Sequence, residues 1–197
     1  VTAIRLAVPG DATTIGRVFA LGFEDDPVLS WVLRDPGRVD KLTAMFTFLL
    51  AEELIPPGST WTTGDAAAAW RPPGPAERDD DHLDRFLAAM SSAPTTDDDF
   101  GRLAAMGEAT ESAHPTEPHW YLGVVATVPE RRSQGLGGAL LAASLQVVDA
   151  SHLPAYLESS NPRNLSLYER HGFEVTGRID VDPTDDVFMT PMWRPPR

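Results

Sequence analysis

Val128-Pro129-Glu130-Arg131-Arg132-Ser133-Gln134-Gly135-Leu136-Gly137-Gly138-Ala139-Leu140 is the stretch on which the reading of this chain turns. It joins a strand-like run, His119 to Val128, to a segment with helical spacing from about Gly135 to Asp149. Two arginines and three glycines lie in it, and nothing acidic after Glu130. A loop of this kind leaves backbone N–H groups unpaired at a helix N-terminus, where the helix dipole favours negative charge. Glycines let that backbone approach a bulky anion and take up positive φ where needed. The stretch reads as a phosphate or pyrophosphate cradle.

Three readings compete for it. One is a tight strand-to-helix connection with solvated arginines. Another is a dinucleotide fingerprint, which needs Gly-x-Gly-x-x-Gly; here the third glycine position is Leu140, although Glu158 ends a strand at about the spacing of a ribose-binding acid. In the third, Arg132-Ser133-Gln134-Gly135-Leu136-Gly137 resembles the Arg/Gln-x-x-Gly-x-Gly/Ala signature of the Gcn5-related N-acetyltransferases (GNAT). A second block decides among them. Asn161, Tyr168, Gly172 and Phe173, within Leu157 to Phe173, are similar to the Asn-x(6)-Tyr-x(3)-Gly-Phe segment downstream of the glycine loop in that family. Within it, the segments around Arg5, Trp70, His119 to Leu122 and Pro154 to Leu165 are similar to puromycin N-acetyltransferase-like actinobacterial members.

The resemblance implies a layered α/β (α+β) fold. Its mixed, mostly antiparallel sheet would have six to seven strands, splayed between the fourth and fifth, with helices on both faces. Acetyl-CoA would enter the splay. The backbone of Val125, Ala126 and Thr127 would meet the pantetheine arm and Asn161 would hydrogen-bond it. The N–H groups of Arg132, Ser133, Gln134, Gly135, Leu136, Gly137 and Gly138 would hold the pyrophosphate, and Tyr168 would protonate the leaving thiolate. These residue types suit the chemistry: backbone donors stabilise an oxyanion, and a phenol of pKa about 10 stays protonated at neutral pH. An ammonium acceptor must first lose a proton. Glu158 is the candidate base, with His119 and Glu117 behind it. Phe23, Trp31 and His119 are the candidates for lining the acceptor pocket, and Trp70 is assigned to the core. Ser133 stands where many relatives have glycine. His171, three residues after Tyr168, is placed at a helix end.

Composition bounds the function. The 197 residues suffice for one domain, taken here as 1–197, and 42% hydrophobic content places it among globular proteins. A net charge of −13 argues against nucleic acid and against an anionic membrane surface, and favours the approach of a cationic amine. The chain has no cysteine, which removes thiolate metal sites and an acyl-cysteine route. His114-x(4)-His119 is broken by prolines and is not a metal-ligand helix, so no metal is expected. Val1 to Gly10 lacks a signal peptide's apolar run and no segment approaches a membrane span; a cytoplasmic protein is expected. Homodimerisation is left open.

Along the chain, Ile4 to Val8 alternates like a short strand, a helix follows Asp11 with Ile15, Val18 and Phe19 on one face, and a longer one runs from about Arg38 to Leu54. Ser59 to Thr63 and Ala66 to Trp70 read as a hairpin about Gly64. Two inserted helices within about 77–113 would shape the acceptor pocket, the second opening on the solvated acidic run Asp97-Asp98-Asp99. Strands at Pro154 to Ser159, Phe173 to Ile179 and Val187 to Trp193 complete the frame, with Gly123 marking a bulge. The expected activity is direct acetyl transfer from acetyl-CoA to a primary amine of a small molecule, antibiotic-like or amino-acid-like. The alternatives are a protein or peptide N-acetyltransferase and an idle acyl-CoA-binding sensor.

Overall fold

The computed structural model describes residues 3–75 and 78–197, so Val1 and Glu77, the ends of two expected segments, lie outside the described residues. An eight-stranded sheet runs β1 (Arg5–Leu6), β2 (Thr60–Thr62), β3 (Ala66–Arg71), β4 (Trp120–Thr127), β5 (Ala155–Ser159), β8 (Val187–Arg194), β6 (Glu174–Val175), with β7 (Ile179–Asp182) also on β8. That exceeds the expected six to seven because the run after Phe173 splits into β6 and β7, which pair with different stretches of β8. β1 is shorter than its alternating sequence, since only Arg5 and Leu6 meet a partner strand.

Helices α1 (Ala12–Gly22), α2 (Pro27–Val32) and α3 (Arg38–Leu49, extended by a π-turn over Leu50–Leu54) cover one face, and α6 (Leu136–Ala150) covers the other. β3 is sandwiched between them. Its four alanines are fully buried, Ala67 and Ala69 toward one core and Ala66 and Ala68 toward the other. Small side chains on both faces let helices close on this strand, and that packing overrides alanine's poor strand propensity.

At β4 the alternation is reset. Ala69 pairs with Val124 but Trp70 pairs with Leu122, which leaves Gly123 as the extra residue of a bulge. Leu122 therefore packs with the α6 core, whereas Val124 and Ala126 pack with the α1–α3 core. Beyond the bulge β4 also parts from β5. Their parallel pairing is confined to Trp120 with Ala155 and Tyr121 with Tyr156, so among the described residues the rest of β4 has no strand on that edge. This is the expected splay.

The inserted helices are α4 (His82–Met90) and α5 (Asp97–Ala113). Thr96 and Asp99 form a capping box at the start of α5. Asp99 is not solvated, as the acidic run implied: its carboxylate is buried against Lys41 Nζ at 2.8 Å and tethers α5 to α3. Among the described residues, no helix is long and apolar enough to cross a membrane.

Candidate active site

The β4–α6 loop is shaped by its own side chains. Arg131 donates to Asp65 and to Gln134, each at 2.9 Å, and Arg132 donates to the Gly22 carbonyl at the end of α1 at 3.0 Å. Both arginines thus hold the loop to the frame. Ser133 (φ 60°) and Gly135 (φ 79°) adopt left-handed conformations, which are costly for serine and ordinary for glycine. Among the described residues, the N–H groups from Ser133 to Gly138 find no acceptor, and the first bond of the helix runs from Ala139 to Gly135. Of these residues, Ser133, Gly135, Leu136, Gly137 and Gly138 line a groove of about 690 Å³, whose walls also include Asn161, Arg163, Asn164 and Arg170. Gln134 turns away to Arg131 and the Glu130 carbonyl.

A second cavity of about 240 Å³ lies deeper in the splay. Phe23, Val28, Leu29, Phe46, Met106 and Met189 give it apolar walls, and Arg71, Tyr121, Glu158 and Ser160 supply polar groups. Tyr168, Phe23, Val125 and Asn164 line both spaces. Tyr168 stands on α7 (Leu165–Glu169), which follows a tight turn over Pro162–Asn164 where Asn161 Oδ1 accepts from the Arg163 N–H at 3.1 Å. The Tyr168 ring is buried on Phe173, and its hydroxyl has no hydrogen-bond partner among the described residues. Burial, helped by the charge of Asp26, pushes that phenol well above its ordinary pKa. Asp26 caps α2 through the Val28 and Leu29 N–H groups and accepts from Ser160 Oγ at 2.6 Å, tying α2 to the end of β5. Its own carboxyl is pushed up, mainly by burial.

Glu158 is held rather than free. Its side chain is 2% exposed, Oε2 accepts from the Tyr121 hydroxyl at 2.6 Å, and Oε1 lies 3.4 Å from His114 Nδ1. Burial and then the neighbouring Glu158 charge push the Tyr121 phenol up, so it stays a donor. Neither His119 nor Trp31 lines the cavity. His119 sits behind His114, and Glu117 contributes its carbonyl to His119 rather than a carboxylate to the site. The Trp31 indole donates to Asp185 at 3.2 Å and lies under Arg102. His171 faces the Leu167 and Gly138 carbonyls and joins α7 to the start of α6. Arg71, Tyr121, Asp26, Asn164 and His114 are not site candidates in the sequence, where the His114–His119 spacing serves only to exclude a metal-ligand helix. Among the described residues, no cluster of acidic and histidine side chains could hold a metal.

A splayed sheet with a loop of unpaired N–H groups at its mouth and a second cavity behind it is the arrangement of a transferase. The model of the acetyltransferase (GNAT) family matches residues 57–173, and the chain belongs to that family and is an acyltransferase. An acetyltransferase from Corynebacterium glutamicum, described as histone acetyltransferase HPA2 and related acetyltransferase, is 26% identical with a TM-score of 0.68, over 99% of this chain and 96% of that one. The polyamine N-acetyltransferase of Drosophila melanogaster shares the fold (TM-score 0.65, 16% identity, 97% of each chain). A shorter match, 46% identical over 55 residues, is to the mycothiol acetyltransferase of Acidimicrobium ferrooxidans; it covers 26% of this chain and 18% of that protein.

Proposed function

We propose that this enzyme moves the acetyl group of acetyl-CoA directly onto the primary amine of a small molecule with an apolar body. The observation that carries this reading is that Tyr168 and Val125 line both the groove and the cavity, so donor and acceptor would meet there without a covalent enzyme intermediate. The groove suits acetyl-CoA, the co-substrate of this family. It offers the unpaired N–H groups of Ser133 to Gly138 to a pyrophosphate and the open edge of β4 to an amide-bearing arm. Bound there, acetyl-CoA supplies an activated acyl carbon and a thiol leaving group. Tyr168 would hand its proton to the departing sulfur: its hydroxyl is engaged by no partner among the described residues, and its raised pKa keeps it protonated until the transfer. Glu158 would take the proton of the incoming ammonium.

The cavity points to the size of the acceptor. About 240 Å³ is below the usual 300–1,000 Å³ of ligand pockets, its buried carboxylate is Glu158, and its lining cation, Arg71, is already paired with Glu53, which favours a compact cation over a peptide. Any kinship with the puromycin acetyltransferases rests on the sequence blocks alone, so puromycin joins the test panel on that ground.

The test is thiol release from acetyl-CoA with tyramine, phenethylamine, spermidine, agmatine, puromycin and short peptides. The chain contributes no thiol of its own. Turnover with a small amine is expected. Turnover confined to peptides would replace the small-molecule reading, and thermal stabilisation by acetyl-CoA with no turnover would favour a sensor.

A further inference from the structure

Glu158 is buried on an inner wall of the acceptor cavity, so a proton it receives needs a way out. The string Glu158–His114–His119–Glu117 carbonyl supplies one, and its tautomers follow from its fixed end. His119 Nδ1 lies 2.7 Å from the Glu117 carbonyl oxygen, which can only accept, so Nδ1 carries the hydrogen. A neutral His119 then presents a bare Nε2 to His114 Nε2, 3.1 Å away, and the hydrogen between them belongs to His114. Neutral His114 is left with a bare Nδ1 facing Glu158 Oε1 at 3.4 Å. Two lone pairs facing each other make a vacant seat for one proton.

We propose that His114 is the proton relay of the acetyl transfer, taking from Glu158 the proton surrendered by the amine and passing it to solvent, with His119 as the positioning residue that sets its tautomer. The proposal rests on Glu158 acting as the base. In sequence, an N–H bond of the ammonium breaks as an O–H bond forms on Glu158. That O–H breaks as Nδ1–H forms on His114, giving an imidazolium paired with the restored carboxylate. The Nδ1–H bond of the imidazolium then breaks as its proton passes to water or buffer, which restores the Nε2–H tautomer.

The surroundings fit this division of labour. His114 is 31% exposed at its side chain against 2% for Glu158, so the ring is the member of the pair that reaches solvent. Tyr121 and Tyr156 pack edge-on against the His114 ring at 5.0 and 5.2 Å and hold its plane. Among the described residues, the titratable and charged groups around the string are Glu158, Tyr121, Tyr156 and the Glu117 carboxylate near His119, with Arg71 over Tyr121 at 5.7 Å. Burial holds His119 below the ordinary histidine range, which keeps its Nε2 an acceptor near neutral pH.

The experiment compares wild type, His114→Phe and Glu158→Gln in thiol release with tyramine and spermidine, together with nitrogen-15 NMR of the imidazoles of the wild-type protein. His114→Phe keeps an aromatic ring between Tyr121 and Tyr156. It is expected to lower kcat about tenfold, leave KM for acetyl-CoA unchanged, and recover with tens of millimolar imidazole, which wild type ignores. A rate within about twofold of wild type, or a loss that imidazole does not restore, overturns the relay. Glu158→Gln tests the base itself: a large loss that imidazole leaves untouched keeps the base, whatever His114→Phe does, and full activity removes base and relay together. If His114→Phe does not fold or neither amine turns over, the NMR decides. With five histidines the spectrum is assignable, and the expected neutral forms are Nδ1–H for His119 and Nε2–H for His114. The opposite tautomer at His119 overturns the relay.

Discussion

Replacing Tyr168 by phenylalanine removes one oxygen, and its surroundings predict what that does. The ring packs on Phe173 with centroids 6.3 Å apart, a contact that phenylalanine retains. The hydroxyl makes no hydrogen bond among the described residues, so its loss leaves no orphaned partner, and stability should stay within about 0.5 kcal/mol of wild type. The rate should behave differently. Burial and Asp26 hold the phenol above its ordinary pKa, so at pH 8 essentially every molecule carries the proton that the leaving sulfur needs. A positioned general acid contributes roughly 10²–10⁴-fold, so kcat should fall by at least about a hundredfold, or about 2.7 kcal/mol of barrier. Thiol release gives the rate, urea titration the stability and calorimetry the acetyl-CoA affinity, which should change less than about twofold. In wild type, Tyr168 should cause no alkaline loss of rate below about pH 10, because a raised pKa moves that limb upward. A variant within about threefold of wild-type kcat would remove Tyr168 from the chemistry. A parallel loss of stability would show that the hydroxyl is structural.

Gly22→Ala would bring a methyl group to 2.6 Å from Ala126 Cβ, where α1 meets β4 at the rim of the groove; a loss of about 1–3 kcal/mol in urea titration and a several-fold higher KM for acetyl-CoA are expected. Gly137→Ala is its control: the nearest atom is 3.8 Å away, so stability should hold or rise, and a loss matching that of Gly22→Ala would contradict the packing argument. Lys41→Met strands the buried Asp99 carboxylate and should cost about 3–5 kcal/mol in the same titration. Burial opposes the Asp99 charge, but hydrogen bonds from Lys41 and Thr96 outweigh it and lower the pKa, so wild type should lose this contribution only as pH falls below the ordinary carboxylate range. Asp26 has the opposite sign: burial raises its folded pKa, so wild-type stability declines as pH rises through that value. Asp26→Asn lacks this decline, and its melting temperature relative to wild type should be higher at pH 8 than at pH 4; the reverse trend would show that the caps to Val28 and Leu29 dominate.

The parts of the site legible in the sequence are those whose conformation is made locally. The glycines and the strand-to-helix switch between Val128 and Leu140 encode a loop of unpaired N–H groups without help from distant residues. The Thr96–Asp99 capping box is equally local, but the three aspartates of that run look alike in sequence, and only the fold singles out Asp99 for Lys41, 58 residues away. The pairs that equip the inner cavity are of the second kind. Asp26 and Ser160 are 134 residues apart, His114 and Glu158 are 44 apart, and no local spacing announces either.

Tyr121 lies between the two kinds. In an unbroken strand, Leu122, Val124 and Ala126 would share one face, with Tyr121 and Val125 on the other. Gly123 was recognisable as a bulge, yet its consequence depends on where the extra residue falls in the pairing with β3. Because the pairing passes from Ala69 with Val124 to Trp70 with Leu122, the faces exchange at that point. Leu122 goes to the α6 core and Tyr121 turns to the side of Val124, where its hydroxyl reaches Glu158. The same bulge lies where β4 leaves β5, so one extra residue both supplies the carboxylate with its donor and stands where the sheet parts to admit two substrates.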